Sequence, residues 1–269
     1  TIPKSIKEIG AAVFYKCTSL TDIYYNGNIS DWNSIKITEA GNESLKKATI
    51  HCSNGVINCQ HKSTKTTTAK ATTSKNGTVE KECSVCGYRT TDTIYYPKTI
   101  KLQATNYTYN GKVNKPSVSI IDADGETISS GNYNVSYATG CKSVGKYKVT
   151  VTFKGDKYSG SKYTYFYINP KGTSISKVYR AKKAFTVKWK KQSTKMATSR
   201  ITGYQIRYST SSKMTSPKYK TVKGYKYTSK KITKLKAKKK YYVQVRTYKT
   251  VSGKTYYSSW SSIKSVTTK

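Results

Sequence analysis

The chain has 269 residues, with 50 Lys and Arg against 12 Asp and Glu, for a formal net charge of +38. Its last 99 residues, 171–269, hold 28 Lys and Arg and no acid, the final one in the chain being Asp156. That end cannot build a carboxylate pair, an Asp-oriented His or a carboxylate-held metal, and its charge suits polyanions: wall polymers, acidic glycans, anionic membrane or nucleic acid. Length points to two or more domains. Hydrophobic content leans on 26 Tyr, and the Tyr, Thr, Val and Ser runs are strand composition. No stretch approaches the roughly 20 apolar residues of a transmembrane segment. The chain opens at Thr1 in mid-pattern, which reads as a piece of something longer.

In residues 1–50, apolar positions at Ile2, Ile6, Ile9, Ala12, Phe14, Cys17, Leu20 and Ile23 are spaced like one rung of a repeat. A rung cannot bury its own faces and needs neighbours. Trp32, Ile35, Ile37, Leu45 and Ile50 are expected to close it as a cap. The stretch IPKSIKEIGAAVFYKCTSL resembles the last repeat of a BspA-like leucine-rich repeat array from bacterial surface proteins.

Residues 51–97 form a Cys- and His-containing linker segment. Residues 62–75 are Thr/Lys-rich and apolar-poor, which predicts a loop, and Gly77 to Glu82 carries a short strand signal. Cys59-x-His61 and Cys83-x-x-Cys86-Gly87 are the candidate metal ligands. Two thiolates on a tight knuckle and two more soft ligands make the tetrahedron that Zn²⁺ prefers, closed and therefore structural. One structural zinc would supply what so small a core cannot. Disulfides in a secreted protein, Cys83–Cys86 and Cys52–Cys59, are the competing reading, and free thiols a third. His51 and Cys52 are second-choice ligands. Cys17 is expected inside the rung, and Cys141 in a loop without a partner.

Residues 98–170 alternate in short strands at Val118 and Ile120, at Tyr133, Val135 and Tyr137, at Tyr147 through Phe153, and at Tyr163, Tyr165 and Tyr167. Turn signals separate them, which predicts a small antiparallel sandwich. The run GKYKVTVTFKGDKYSGSKYTYFYINP resembles Ig-like modules of large surface proteins from gut Gram-positive bacteria.

Residues 171–269 repeat that grammar. Phe185, Val187 and Trp189 alternate inward, as do Tyr204, Ile206 and Tyr208, and then Tyr241, Val243 and Val245, with Trp260 marking the last strand. The segment resembles a fibronectin type III domain: Trp189 matches the family's core tryptophan, and Leu235 to Tyr241 its tyrosine corner, with Ala237 where Pro is common. The resemblance implies a sheet whose outer face joins Gln205 and Arg207 with Tyr242, Gln244, Arg246 and Tyr248. Arg and Tyr together suit anionic or glycan ligands, although cross-strand pairs also stabilise an exposed sheet on their own account. Lys236, Lys238, Lys239 and Lys240 form the densest charge run beside the corner. No DNA-reading helix accompanies it, so no specific nucleic-acid recognition is expected.

No Gly-rich phosphate loop, Gly-x-Ser-x-Gly elbow or His-Glu-x-x-His motif occurs, so no enzyme is expected here. The whole therefore reads as mainly β and multi-domain: a leucine-rich repeat end, a small linker module and two antiparallel sandwiches. The expected role is non-catalytic display and adhesion in a secreted, cell-surface or cell-wall protein. The expected partners are anionic cell-wall polymers or acidic glycans, with a host or neighbouring-cell surface protein as a further partner. An accessory tail of a secreted peptidase or glycosidase and a passive spacer are the alternatives.

Overall fold

A computed structural model of the protein describes residues 1–61 and 64–269. Lys62 and Ser63, the start of the expected loop, lie outside the described residues. The chain divides into two compact units, Thr1–Tyr96 with Asp156–Tyr158, and Pro97–Gly155 with Ser159–Lys269. The four-segment division remains a reading of the sequence.

In the first unit, β1 (Glu8–Ile9), β2 (Asp22–Tyr24), β3 (Lys36–Ile37) and β4 (Thr49–Cys52) form parallel columns. β1 pairs with β3 and β2 with β4, while Ile2 bridges Tyr25 in the same sense. Parallel partners need crossovers, and two five-residue helices serve here, α1 (Ile29–Asn33) and α2 (Glu43–Lys47). Asn28 starts α1 with a reciprocal capping box to Asp31, which satisfies two backbone donors. Ile9, Ile23, Tyr25, Trp32, Ile35, Leu45, Ala48 and Ile50 make the core, with Ile37 packed against it. Ala12 and Cys17 are exposed, contrary to the expected inward spacing. Both lie in a run of turns, residues 11–19, where no regular period sets side-chain direction.

β5 (Gly55–Ile57) folds back on β4. Three antiparallel strands follow, β6 (Thr64–Ala69), β7 (Gly77–Cys83) and β8 (Arg89–Ile94). The loop expected over residues 62–75 is thus a strand for much of its length. Its Thr-rich composition satisfies β geometry without apolar side chains, and every residue of β6 is exposed.

The second unit contains two sandwiches. In the first, β9 (Pro97–Leu102), β11 (Val118–Asp122) and β12 (Thr127–Ile128) form one sheet. β10 (Asn106–Thr108), β13 (Tyr133–Tyr137), β14 (Gly145–Phe153) and β15 (Ser161–Asn169) form the other, in the order β10-β15-β14-β13. Phe166 and Ile168 are the core residues of β15, so Tyr163, Tyr165 and Tyr167 occupy its outer phase. Cys141 lies outside the strands, as expected, but is buried, and its thiol donates to the Ala138 carbonyl at 3.0 Å.

The second sandwich sets β16 (Ile175–Ala181), β17 (Ala184–Trp189) and β20 (Ser229–Ile232) against a sheet ordered β19-β18-β21-β22, with β23 also paired to β21. These strands are β18 (Gly203–Ser209), β19 (Lys218–Lys223), β21 (Lys240–Val251), β22 (Lys254–Tyr257) and β23 (Lys264–Thr267). The three inward triplets expected from the sequence are all buried. Gly203 is needed in β18: a Cβ there would stand 2.2 Å from the Val222 carbonyl oxygen and 2.9 Å from the Tyr248 ring. The two sandwiches share packing, since Val144 joins the core of the second, and Ala197 N–H donates to the Tyr109 hydroxyl at 3.2 Å.

Candidate metal centre and basic sheet face

The strand register assembles the Cys and His residues. Thr64 at the head of β6 pairs with Cys83 at the end of β7. Cys59 and His61, just upstream of β6, therefore arrive beside the tight turn that carries Cys83 and Cys86. In that turn Cys83 N–H donates to the Tyr88 carbonyl and Gly87 N–H to the Cys83 carbonyl, both at 2.8 Å. Gly87 sits at φ 72°, a left-handed conformation that favours glycine. His61 is steadied by stacking on Tyr88, with ring centroids 4.4 Å apart.

The four ligand atoms all lie within 4.8 Å of one another. Cys59 Sγ is 3.5 Å from Cys83 Sγ, and Cys86 Sγ is 3.3 Å from His61 Nδ1. A tetrahedron with zinc–sulfur bonds of about 2.3 Å has edges just under about 4 Å, so the donor set fits zinc in its chemistry, and the two contacts at 3.5 and 3.3 Å are of the size of such an edge. Electrostatics prepares one ligand and holds back another. Bonds from the Cys86 N–H, the His61 side chain and the Val85 N–H bring the Cys83 thiol down to about 6. Burial, with Cys83 and Cys86 as neighbours, pushes Cys59 up to about 11. A cation between them would favour the second thiolate.

All six cysteines are free in this structure, so the competing Cys83–Cys86 and Cys52–Cys59 disulfides are not formed in it. His51 is drawn elsewhere: its Nε2 lies 2.7 Å from Asp22 Oδ1 and its ring stacks on Tyr24. Cys52 packs against the first core, where burial raises its thiol.

On the second sandwich, the outer face of β18 and β21 is a set of cross-strand pairs. Arg207 donates through Nε and Nη2 to Gln244 Oε1 at 2.8 and 2.6 Å, and Arg246 likewise to Gln205 Oε1 at 2.9 and 2.6 Å. Arg207 lies 4.5 Å from the Trp260 ring centroid, and Arg246 lies 4.3 Å from Trp260 and 3.8 Å from Tyr257. Burial draws the Arg246 guanidinium below its ordinary value. Trp260 is not on the last strand, as its place in the pattern suggested. It precedes β23 in an irregular segment clipped to β21, where Ser258 Oγ accepts from Thr247 N–H and Ser261 Oγ from Val245 N–H. Tyr248 is buried beside Gly203 and Tyr257, whereas Tyr242 is half-buried. The face brings the expected arginines together but binds them to their own neighbours.

The corner keeps its cations in solvent. Tyr241 accepts from the Lys236 N–H at 3.2 Å beneath a buried Leu235. Thr268 locks the turn, donating to the Lys236 carbonyl at 2.6 Å and accepting from Lys239 N–H at 3.1 Å. Lys236, Lys238, Lys239 and Lys240 are all exposed. On the opposite sheet, Lys177 and Lys188 flank the exposed Tyr179 ring at 5.2 and 5.4 Å. The six ion pairs among the described residues involve only residues 4–92.

Residues 168–264 match the family model of the fibronectin type III domain. Among solved structures, one described as a myokine is similar at 14% identity and a TM-score of 0.28, covering 36% of this chain and 94% of its own. The chicken CNTN1 FN1-FN3 domains are similar at 16% identity and a TM-score of 0.33, covering 72% of this chain and 78% of theirs. No curated protein matches the chain.

Proposed function

We propose that this chain is a non-catalytic display and adhesion region of a secreted surface protein, held to anionic wall polymers or acidic glycans by its last sandwich. The observation that carries this reading is charge without counter-charge: 28 Lys and Arg and no acid in residues 171–269. Four of those lysines crowd one solvent-exposed corner fixed by Tyr241 and Thr268. Cations on a rigid turn attract a polyanion at little ordering cost. The fibronectin type III match is compatible with a non-catalytic module.

In this reading the parallel columns of residues 1–52 end a leucine-rich repeat array, and the Cys59, His61, Cys83 and Cys86 cluster holds one structural zinc. Zinc there would fasten a sheet whose strand β6 is wholly exposed, doing what a larger core does elsewhere. Among the described residues no helix is long and apolar enough to cross a membrane.

The test is retention of the whole chain on isolated Gram-positive cell walls, before and after their anionic polymers are extracted. Extraction, or the K236Q/K238Q/K239Q/K240Q replacement, should each lower the bound fraction severalfold. Equal retention in all three cases would sink the reading and favour a spacer.

A further inference from the structure

We propose a second binding site, for an acidic oligosaccharide, in the cleft where the two sandwiches of the second unit meet. The cleft has a volume of about 650 Å³ and is lined by Asn106, Lys146, Tyr167 and Asn169 of the first sandwich and by Lys254 and Tyr256 of the second, among others. That size suits a ligand of several hundred daltons. The lining combines aromatic rings, two amides and two ammonium groups, and contains no carboxylate. Rings offer flat apolar faces to a pyranose, amides pair with its hydroxyls, and lysines meet its carboxylate or sulfate groups.

The cleft continues onto a sheet face with the same chemistry. Lys146 is opposite Tyr167, and Lys148 opposite Tyr165, across β14 and β15, while Asn106 of β10 is opposite Tyr167 from the other side. Successive rows are two residues apart, so residues 163 to 169 of β15 extend for about 20 Å at roughly 3.3 Å per residue. The ammonium groups are already placed: Lys146 Nζ lies 3.5 Å from the Tyr165 ring centroid and Lys148 Nζ 4.3 Å from that of Tyr163. A lysine resting on a ring gives up less freedom when an anion arrives, which lowers the ordering cost of binding. Tyr163 is 59% exposed, so the strip is open to a chain lying along it. The second amide contact is fixed too, with Asn169 Nδ2 donating to Asn106 Oδ1 at 3.2 Å.

Acidic sugar rather than bare polyanion is the favoured occupant because the strip alternates rings with charges, whereas the corner at Lys236 to Lys240 offers charge alone. The proposal deepens the acidic-glycan part of the proposed function and rests on that class of partner, but it uses residues other than the corner lysines, so the corner variant separates the failure of one from the failure of the other.

The experiment is calorimetric titration of the whole chain at about 150 mM salt with three probes: a heparin-derived hexasaccharide, neutral maltohexaose and inorganic polyphosphate. The hexasaccharide should bind more tightly than either other probe. K146Q/K254Q should weaken it about tenfold, and Y256L should weaken it while leaving polyphosphate unchanged. K236Q/K238Q/K239Q/K240Q should leave hexasaccharide affinity within about twofold, yet reduce polyphosphate binding. Because Tyr256 also packs at the junction, the exposed K254Q alone serves as the variant safe for folding. The proposal falls if K146Q/K254Q and K254Q leave the hexasaccharide affinity intact, or if the corner variant abolishes it.

Discussion

Single buried polar side chains do a large share of the fastening in this tyrosine-rich chain. Asn42 is 1% exposed, accepts from Phe14 N–H and donates to the Gly10 and Thr38 carbonyls at 2.8 and 2.7 Å. Asn42→Ala should therefore cost about 2–3 kcal/mol in urea unfolding of the first unit, since it strands three backbone groups. The fully buried Tyr204 accepts from Gln192 N–H and donates to the Tyr225 carbonyl, both at 2.9 Å. Tyr204→Phe should cost about 1–3 kcal/mol, and Tyr241→Phe less, because the Lys236 N–H it serves lies at an exposed residue that water can reach. An equal loss for the two would contradict this ranking. Much of this was legible: Trp189, Tyr204, Tyr208 and Tyr241 announce themselves by period-two alternation. Lys249 sits on that same inward phase of β21, buried, with its Nζ donating to the Ser199 and Arg200 carbonyls at 2.9 and 3.0 Å. Extending the alternation past Val245 would have found it. Asn42 gave no such signal, because nothing local distinguishes a buried Asn from a turn Asn.

At the scale of elements, the Cys and His module and the Trp260 segment respond to different perturbations. The β6-β7-β8 sheet has few buried residues, Gly77, Cys83 and Ile94 being the only ones in its strands. Chelation of bound metal, or C83S/C86S, should raise amide exchange throughout β6 and β7 while leaving the second unit's protection intact. Unchanged exchange after chelation would show that zinc does not hold the sheet. The ligand spacing was readable because Cys-x-x-Cys-Gly names a knuckle. The strand at residues 64–69 was not, since exposed Thr carries no hydrophobic period. Trp260 was readable as structural, but its place was not: it packs on Arg207 and Arg246 from an irregular segment, and alternation is silent outside strands. Trp260→Ala should destabilise the second sandwich by about 1–3 kcal/mol through loss of both cation–ring contacts and the ring's packing, checked by thermal unfolding.

Over the whole molecule, titration behaviour follows from burial and charge. Burial raises the hydroxyls of Tyr137, Tyr147, Tyr204, Tyr208 and Tyr248 above the usual phenol value. The native state keeps those protons after the unfolded chain has lost them, so their contribution is complete below about pH 10 and declines as pH rises toward the folded values. Lys249, lowered by burial, has the opposite sign: its contribution is present above the ordinary lysine value and is lost as pH falls through the folded one. Phenolate absorbance isolates the tyrosines from the relief of lysine repulsion at high pH. It should rise in two steps, the second coinciding with loss of the folded circular dichroism signal; a single step with structure retained would contradict it. Charge segregation was the most legible property of the chain, whereas the cleft between the sandwiches depends on a packing geometry that no local pattern encodes.

The measurement that bears most directly on the proposed function is the affinity of the whole chain for poly(glycerol phosphate) across a salt series. Log affinity should fall linearly with log salt, and K236Q/K238Q/K239Q/K240Q should make the slope shallower by somewhat less than about one per lysine removed. A slope identical in the two proteins, or no binding at about 50 mM salt, would contradict the proposed function and leave the last sandwich a spacer.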